Sequence, residues 1–247
     1  MSAPETTSVT HPDGSTITVL TDGGTTTTTV THVDGTTVQV SSATETGCND
    51  DNTLTGFLPE TYVEGFHDPD VVRRMRYRKL GNCKTKDGAQ MHVSILSFGA
   101  SSLGGCFRDD TTVEEGAQVV LTALKSGINL IDVAAWYGHG LAEKVLGVAL
   151  KDVPRAAYYI NTKCCRYQPD ILEMFDFSSE RTQRSIDESI ERMGCGYLDT
   201  IQIHDPEYAP KLHGKELSDP SCIIYTETLP AMDACRQAGK VRRGWAV

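Results

Sequence analysis

No C-x-x-C pair occurs in the 247-residue chain, although it holds eight cysteines: Cys48, Cys83, Cys106, Cys164, Cys165, Cys195, Cys222 and Cys235. Zinc-ribbon and thioredoxin-type chemistry need that spacing and are excluded. The Ser-, Thr- and Glu-containing N-terminus has no apolar stretch behind it, so no secretory leader is expected. The cysteines then read as reduced thiols of a cytoplasmic protein. No apolar run approaches the roughly 20 residues that a membrane-spanning helix needs. A surplus of positive charge is missing as well. The formal net charge is −10, and no basic stripe argues for nucleic acid as a partner. Residues 1–74 hold two basic and eleven acidic side chains, a net −9, and the remainder is close to neutral. The acidity therefore belongs to an N-terminal segment.

That segment has few large apolar residues and many threonines. It repeats a phrase, Thr31-His32-Val33-Asp34-Gly35-Thr36-Thr37-Val38-Gln39-Val40 echoing Thr10-His11-Pro12-Asp13-Gly14-Ser15-Thr16-Ile17-Thr18-Val19, with Asp22-Gly23 between them. Asp-Gly between alternating Thr/Val runs signals a tight hairpin, because Gly accepts positive φ. Residues 1–45 are thus expected to form a small β-meander, with strands from about Thr7 to Val40. His11 and His32 read as turn-flanking polar residues, and no metal site is expected. Residues 46–74 read as a polar linker broken by Pro59 and Pro69.

From residue 75 to residue 247 the pattern alternates. Residues 75–81 and 91–98 predict two strands around a polar turn. Short apolar strands then end at Val133, Lys163 and His204, with another beginning at Val241. Amphipathic helices are predicted over 112–126, 141–150, 178–193 and 226–237. This is an α/β pattern of parallel βαβ units. It permits a barrel or an open doubly wound sheet.

Ionisable residues stand at the tips of three successive strands: Asp132, Lys163 and His204. In a βα barrel those tips converge on one face, where active sites form. Tyr137 lies five residues beyond Asp132, within reach of the same face. The group suits hydride transfer. A carbonyl that accepts a hydride needs a proton at its oxygen. A tyrosine, with an ordinary pKa of about 10, supplies one near neutral pH when an ammonium stabilises the phenolate. Lys163 fits that part, Asp132 would hold the lysine, and His204 would orient the carbonyl oxygen. Taken singly, each residue has a plainer reading: a cap, a surface or core tyrosine, a solvated charge, an interior imidazole. The joint arrangement is what points to catalysis. Cys164 and Cys165 read as inert thiols. Asp205 reads either as a ligand to a sugar hydroxyl or as a turn cap.

The run Asn129-Leu130-Ile131-Asp132-Val133-Ala134-Ala135-Trp136-Tyr137-Gly138, followed by Glu143 and Gly147, resembles the signature of the aldo-keto reductases. So do Thr162-Lys163 and Ile203-His204, each at a strand end. Lys163-Cys164-Cys165-Arg166-Tyr167, Phe175-Asp176-Phe177-Ser178 and the helix from Arg184 to Met193 are most similar to the L-galactose dehydrogenase branch. The resemblance runs from about Met75 to Lys240. It implies a (β/α)8 TIM barrel, a small sugar or carbonyl substrate, and NAD or NADP held without a Rossmann fold. It implies Asp132, Tyr137, Lys163 and His204 as the catalytic tetrad, and Gly99, Ala100, Ser101 and Asp132 beside the cofactor. The activity it implies is oxidation of an aldose to a lactone. The alternatives are a general aldehyde or ketone reductase using NADPH, and a non-catalytic shortened product. A barrel of this kind takes about 250 residues or more, and only about 170 follow Met75. The expectation is an incomplete barrel of about five strands. Most of the cofactor site would lie beyond Val247, and a partner or second copy would cover the open edge.

Overall fold

The computed structural model describes residues 5–10, 16–22, 25–31, 37–43, 53–84, 90–105, 110–170 and 173–244. The chain divides into two compact units, Met1–Asp51 and Asn52–Val247. In the first, β1 (Glu5–Thr10), β2 (Thr16–Asp22), β3 (Thr25–Thr31) and β4 (Thr37–Ala43) form an antiparallel meander in that order. Threonine-rich segments favour extended backbone because of their branched β-carbons. The pairing aligns four apolar residues in one row, Val9 with Ile17, Ile17 with Val30 and Val30 with Val38. The Asp-Gly turns at 13–14, 22–23 and 34–35 fall wholly or partly outside the described residues, as do His11 and His32.

The second unit opens with a three-stranded antiparallel sheet in the order β5-β6-β7: β5 (Thr53–Leu54), β6 (Tyr77–Lys84) and β7 (Gln90–Ser94). A helical turn, α1 (Pro69–Val72), is capped by the Asp68 side chain. Residues 53–74, the described part of the stretch read from sequence as linker, are therefore built into this unit. Their anchors are scattered, with Val63, Phe66 and the buried Val72 packing singly and polar side chains between them, so they leave no apolar periodicity to read. Glu60 accepts from the His92 backbone N–H at 2.7 Å, and Thr61 Oγ1 accepts from Asn129 Nδ2 at 2.8 Å. Asn129 just precedes the next sheet's central strands and also donates to the His92 carbonyl. The small sheet thus seals the N-terminal ends of those strands.

The remainder alternates strand and helix: β8 (Phe98–Gly99), α2 (Val113–Lys125), β9 (Leu130–Asp132), α3 (Leu141–Leu150), β10 (Tyr159–Cys164), α4 (Ser179–Met193), β11 (Leu198–Ile203), α5 (Ala209–His213), α6 (Leu229–Gln237) and β12 (Val241–Gly244). A turn of π-helix, Ile224–Thr228, leads into α6, so the helix expected over 226–237 has a wider first turn. Local chemistry explains the boundaries. Thr112 and Glu115 form a reciprocal capping box at the start of α2. Ser178 caps α4, and Gly194 ends it in the left-handed region.

β8 to β12 form one parallel sheet in unbroken sequential order. This decides what periodicity left open. A doubly wound sheet reverses its strand order at a switch point to place helices on both faces. With no reversal, right-handed crossovers put every helix on one face. Accordingly α2 packs on α3, α3 on α4, and α4 on α6. The winding is that of a barrel wall. Ile131, Ile160, Leu198 and Ile201 are buried against Leu124, Leu146 and Ile186 of the helical layer.

One buried charge ties this layer to the sheet. Glu143 on α3 is fully buried, accepts from Thr162 Oγ1 on β10 at 2.8 Å, and pairs with Arg192 Nε on α4 at 2.7 Å. Removing one partner of such a pair strands the other charge. Glu143→Ala is expected to cost on the order of 3 kcal/mol, read as a lower midpoint in urea unfolding. A midpoint within error of the parent would contradict this coupling.

Candidate active site

The strand tips set the geometry. Asp132 ends β9, Lys163 is the penultimate residue of β10, and His204 follows β11. Lys163 Nζ donates to Asp132 Oδ2 at 2.8 Å, to the Val133 carbonyl at 3.0 Å and to Tyr137 Oη at 3.1 Å. An ammonium has three N–H donors, and here each has a partner. Because the Tyr137 oxygen accepts one of them, its own O–H remains free to donate. The Lys163 side chain is 13% exposed and that of Asp132 36%, so the cluster is shielded on the lysine side and open on the carboxylate side.

Tyr137 is held by the close approach of two loops. Gly104 ends the helical turn Ser101–Gly104 after β8, and a Cβ there would stand 2.5 Å from the Tyr137 carbonyl carbon. A Cβ on Gly138 would stand 2.4 Å from the Gly104 carbonyl oxygen, and Gly138 also has φ +62°. Both positions exclude any larger residue without backbone movement. Gly138 belongs to the motif, but its reason, contact with a residue 34 positions earlier, is invisible in one sequence.

His204 lies edge-on to Tyr137, ring centroids 5.9 Å apart at 88°. Its backbone N–H donates to the Cys164 carbonyl at 2.9 Å, continuing the strand pairing that fixes its place. Burial, with Lys163 and Arg166 nearby, pushes its pKa down to about 4 against the opposing pull of Asp205. Its Nδ1 is buried without a partner among the described residues. The imidazole is therefore neutral at neutral pH.

Sequence reasoning missed a polar ladder beneath these residues. Asn161 Nδ2 donates to Asp132 Oδ1 at 2.6 Å and to Gln202 Oε1 at 2.8 Å, while its Oδ1 accepts from Thr200 Oγ1 at 2.7 Å. Asn161 pairs across the strands with both Asp132 and Thr200. The available signal was alternation. Thr200 and Gln202 interleave with Leu198, Ile201 and Ile203 in β11, and Asn161 breaks the apolar start of β10.

Of the four residues expected beside a cofactor, Asp132 is the carboxylate that holds Lys163, and the other three are placed unequally. Gly99 pairs with Asp132 and is exposed, and an added Cβ there meets nothing within 4 Å. Ala100 is fully buried, and its N–H is used by the Asp132 carbonyl at 2.8 Å. Ser101 is half-buried at the start of the helical turn. Cys164 and Cys165 are fully buried with sulfurs 3.6 Å apart. Contact with the Cys165 thiol, then burial, hold the Cys164 thiol well above its ordinary pKa, which disfavours a reactive thiolate.

The His204 geometry has a pH consequence. Unfolded, the imidazole takes up a proton near pH 6.5; folded, it does so only near 4. The unfolded state binds more protons between these values, so this group withdraws stability as pH falls through that window. Imidazole nitrogen shifts measured by NMR are expected to show His204 neutral at pH 5.5. A midpoint near 6.5 would contradict the account.

Residues 95–244 match the aldo/keto reductase family. L-galactose dehydrogenase from Arabidopsis thaliana is 39% identical over 173 residues, covering 69% of this chain and 48% of that protein. D-threo-aldose 1-dehydrogenase from a Pseudomonas species is 30% identical over 174 residues, covering 62% and 50%. Among solved structures, the holo form of the aldo-keto reductase AKR11C1 from Bacillus halodurans superposes with a TM-score of 0.53 at 28% identity, covering 69% of this chain and 49% of that one. The chain spans about half the length of the curated relatives it matches. With that match over residues 95–244 and a singly wound parallel sheet, the chain belongs to the aldo/keto reductase family of oxidoreductases.

Proposed function

We propose that this chain carries the reacting centre of an NAD(P)-dependent oxidoreductase that interconverts an alcohol and a carbonyl, with an aldose and its lactone as the natural pair. The observation that carries the reading is the fully engaged Lys163 ammonium, one of whose three bonds ends on Tyr137 Oη. The sugar part is supported by the names of the two relatives above, both sugar dehydrogenases. The five-stranded sheet is read as the first part of an eight-stranded barrel whose remaining strands complete the cofactor site. A partner or second copy is the proposed cover for the sheet edge at β12.

The residues present fit the nicotinamide end of such a cofactor. Gly99 stands beside Asp132 with open space where a side chain would begin, so a flat ring can approach the strand tip. A nicotinamide held there would supply or accept the hydride at the substrate carbon. The chain does the rest. In the reducing direction Tyr137 Oη gives its proton to the carbonyl oxygen. Lys163 Nζ, 3.1 Å away, stabilises the phenolate left behind. Asp132 and the Val133 carbonyl keep the ammonium aimed at that oxygen rather than at water. Neutral His204 offers a hydrogen bond to the same carbonyl without competing for the proton. Oxidation of a sugar runs the same steps backward, with Tyr137 taking the proton from the anomeric hydroxyl.

Tyr137→Phe removes the proton donor and keeps the ring. It is expected to lower the turnover of an aldose by roughly 10²–10⁴-fold, followed by nicotinamide absorbance at saturating cofactor. Turnover equal to that of the parent chain would overturn the assignment.

A further inference from the structure

Beside the reacting centre lies a cluster that the proton relay does not use. Arg166, three residues past Lys163, and Asp205, next to His204, form an ion pair, Nη1 to Oδ2 at 2.5 Å. The other carboxylate oxygen, Oδ1, lies 4.0 Å from His204 Nε2. The guanidinium sits over the Trp136 ring at 4.1 Å and near the Phe175 ring at 5.5 Å. Tyr208 extends the wall, stacked on Phe175 at 4.5 Å and 16°. Arg166 Nε is buried without a partner among the described residues, yet the side chain as a whole keeps 25% exposure, and Asp205 keeps 28%. The guanidinium is thus held against aromatic faces, and both partners of the pair keep exposed surface that a ligand can reach.

We propose that Arg166 and Asp205 form a polyol subsite that selects substrates carrying neighbouring hydroxyl groups. The inference rests on the carbonyl–alcohol chemistry assigned above and names what confers its sugar preference. A diol presents a donor and an acceptor side by side. A guanidinium fork beside a carboxylate offers the complementary acceptor and donors in a fixed plane. The aromatic wall offers apolar surface to the C–H face of a sugar, and a few fixed polar groups on such a wall are the usual form of a specific pocket. Charge sets the class further. Arg166 is already met by Asp205, and Lys163 by Asp132. Neither cation is left over for a carboxylate or phosphate, so the subsite takes neutral polyols in preference to sugar acids or sugar phosphates. Asp205 has φ +52°, a conformation that Asp tolerates better than most residues, and it brings the carboxylate back toward the imidazole beside it.

The test is binding to the full 247-residue chain, read from the indole signals of Trp136 and Trp245 in 15N NMR during titration. The probes are L-galactose, galactose 6-phosphate and butanal, which has no hydroxyl. L-galactose is expected to bind and to shift the Trp136 signal, with galactose 6-phosphate no tighter. Arg166→Met and Asp205→Asn are each expected to weaken L-galactose by tenfold or more and to leave butanal within twofold. Arg166→Lys, which restores charge without the planar fork, is expected to recover only part of the loss. Should Arg166→Met fail to fold, Asp205→Asn, with a dispersed spectrum, carries the comparison alone. L-galactose affinity unchanged in the folded variants, equal weakening of both probes, no binding by the parent chain, or tighter binding of the phosphate would each overturn the subsite. The reaction proposed above fails separately. L-galactose binding that depends on Arg166 but is never followed by turnover sinks that reaction and leaves the subsite standing. Turnover that ignores Arg166 and Asp205 does the reverse.

Discussion

The chemistry proposed for the second unit depends on one ammonium group. Lys163 is held by a carboxylate, a backbone carbonyl and a phenol, which exhaust its donors. A lysine with a free N–H would rotate toward water and lose its aim. A lysine without Asp132 would leave a charge in a pocket where its side chain is only 13% exposed. Saturation converts a flexible four-carbon side chain into a fixed electrostatic element directed at Tyr137 Oη, and pre-orientation of this kind makes charge stabilisation effective in a shielded site.

Much of the surrounding architecture keeps that arrangement in register. Parallel pairing sets Asp132 against Asn161 and Lys163 against Gln202, so a one-residue slip would turn the candidate site residues to the wrong face. Asn161 spends both amide protons on this layer, one on Asp132 and one on Gln202. The Gly104–Gly138 contact brings the Tyr137 loop down onto the loop after β8. At the opposite end of the strands, Asn129 and Glu60 tie the small antiparallel sheet in place. Behind them, Glu143 locks α3 to β10 and α4. The motif residue Glu143 thus serves the scaffold, while Tyr137, six positions earlier, faces the site.

What was legible in the sequence followed periodicity and local chemistry. The helices α2, α3 and α4 lie within a residue or so of their expected bounds, because caps such as Thr112 and Ser178 and stops such as Gly194 act on neighbouring backbone. The α/β class and the convergence of Asp132, Lys163 and His204 followed from strand ends alone. Periodicity could not distinguish a barrel wall from a doubly wound sheet, because both bury the same apolar stripes. Only the sequential order β8 to β12 separates them. The segment 53–74 looked like linker because its anchors, apolar Val63, Phe66 and Val72 and polar Glu60 and Thr61, are isolated contacts across long sequence separations. Asn161 and Gln202 were missed for a related reason. A polar side chain within a strand is read as surface until its neighbours are known. The place of Arg166 between Trp136 and Phe175 has no local signal either, because it depends on the approach of two loops, the one after β9 and the one after β10.

The central claim is that Lys163 acts through Tyr137 and not independently of it. A double-mutant cycle on kcat/KM for aldose turnover, with Lys163→Met, Tyr137→Phe and the double variant, tests this directly. The account predicts strong non-additivity, the double variant being no more than a few-fold slower than the slower single variant. Losses that simply multiply would show two independent contributions and contradict the account.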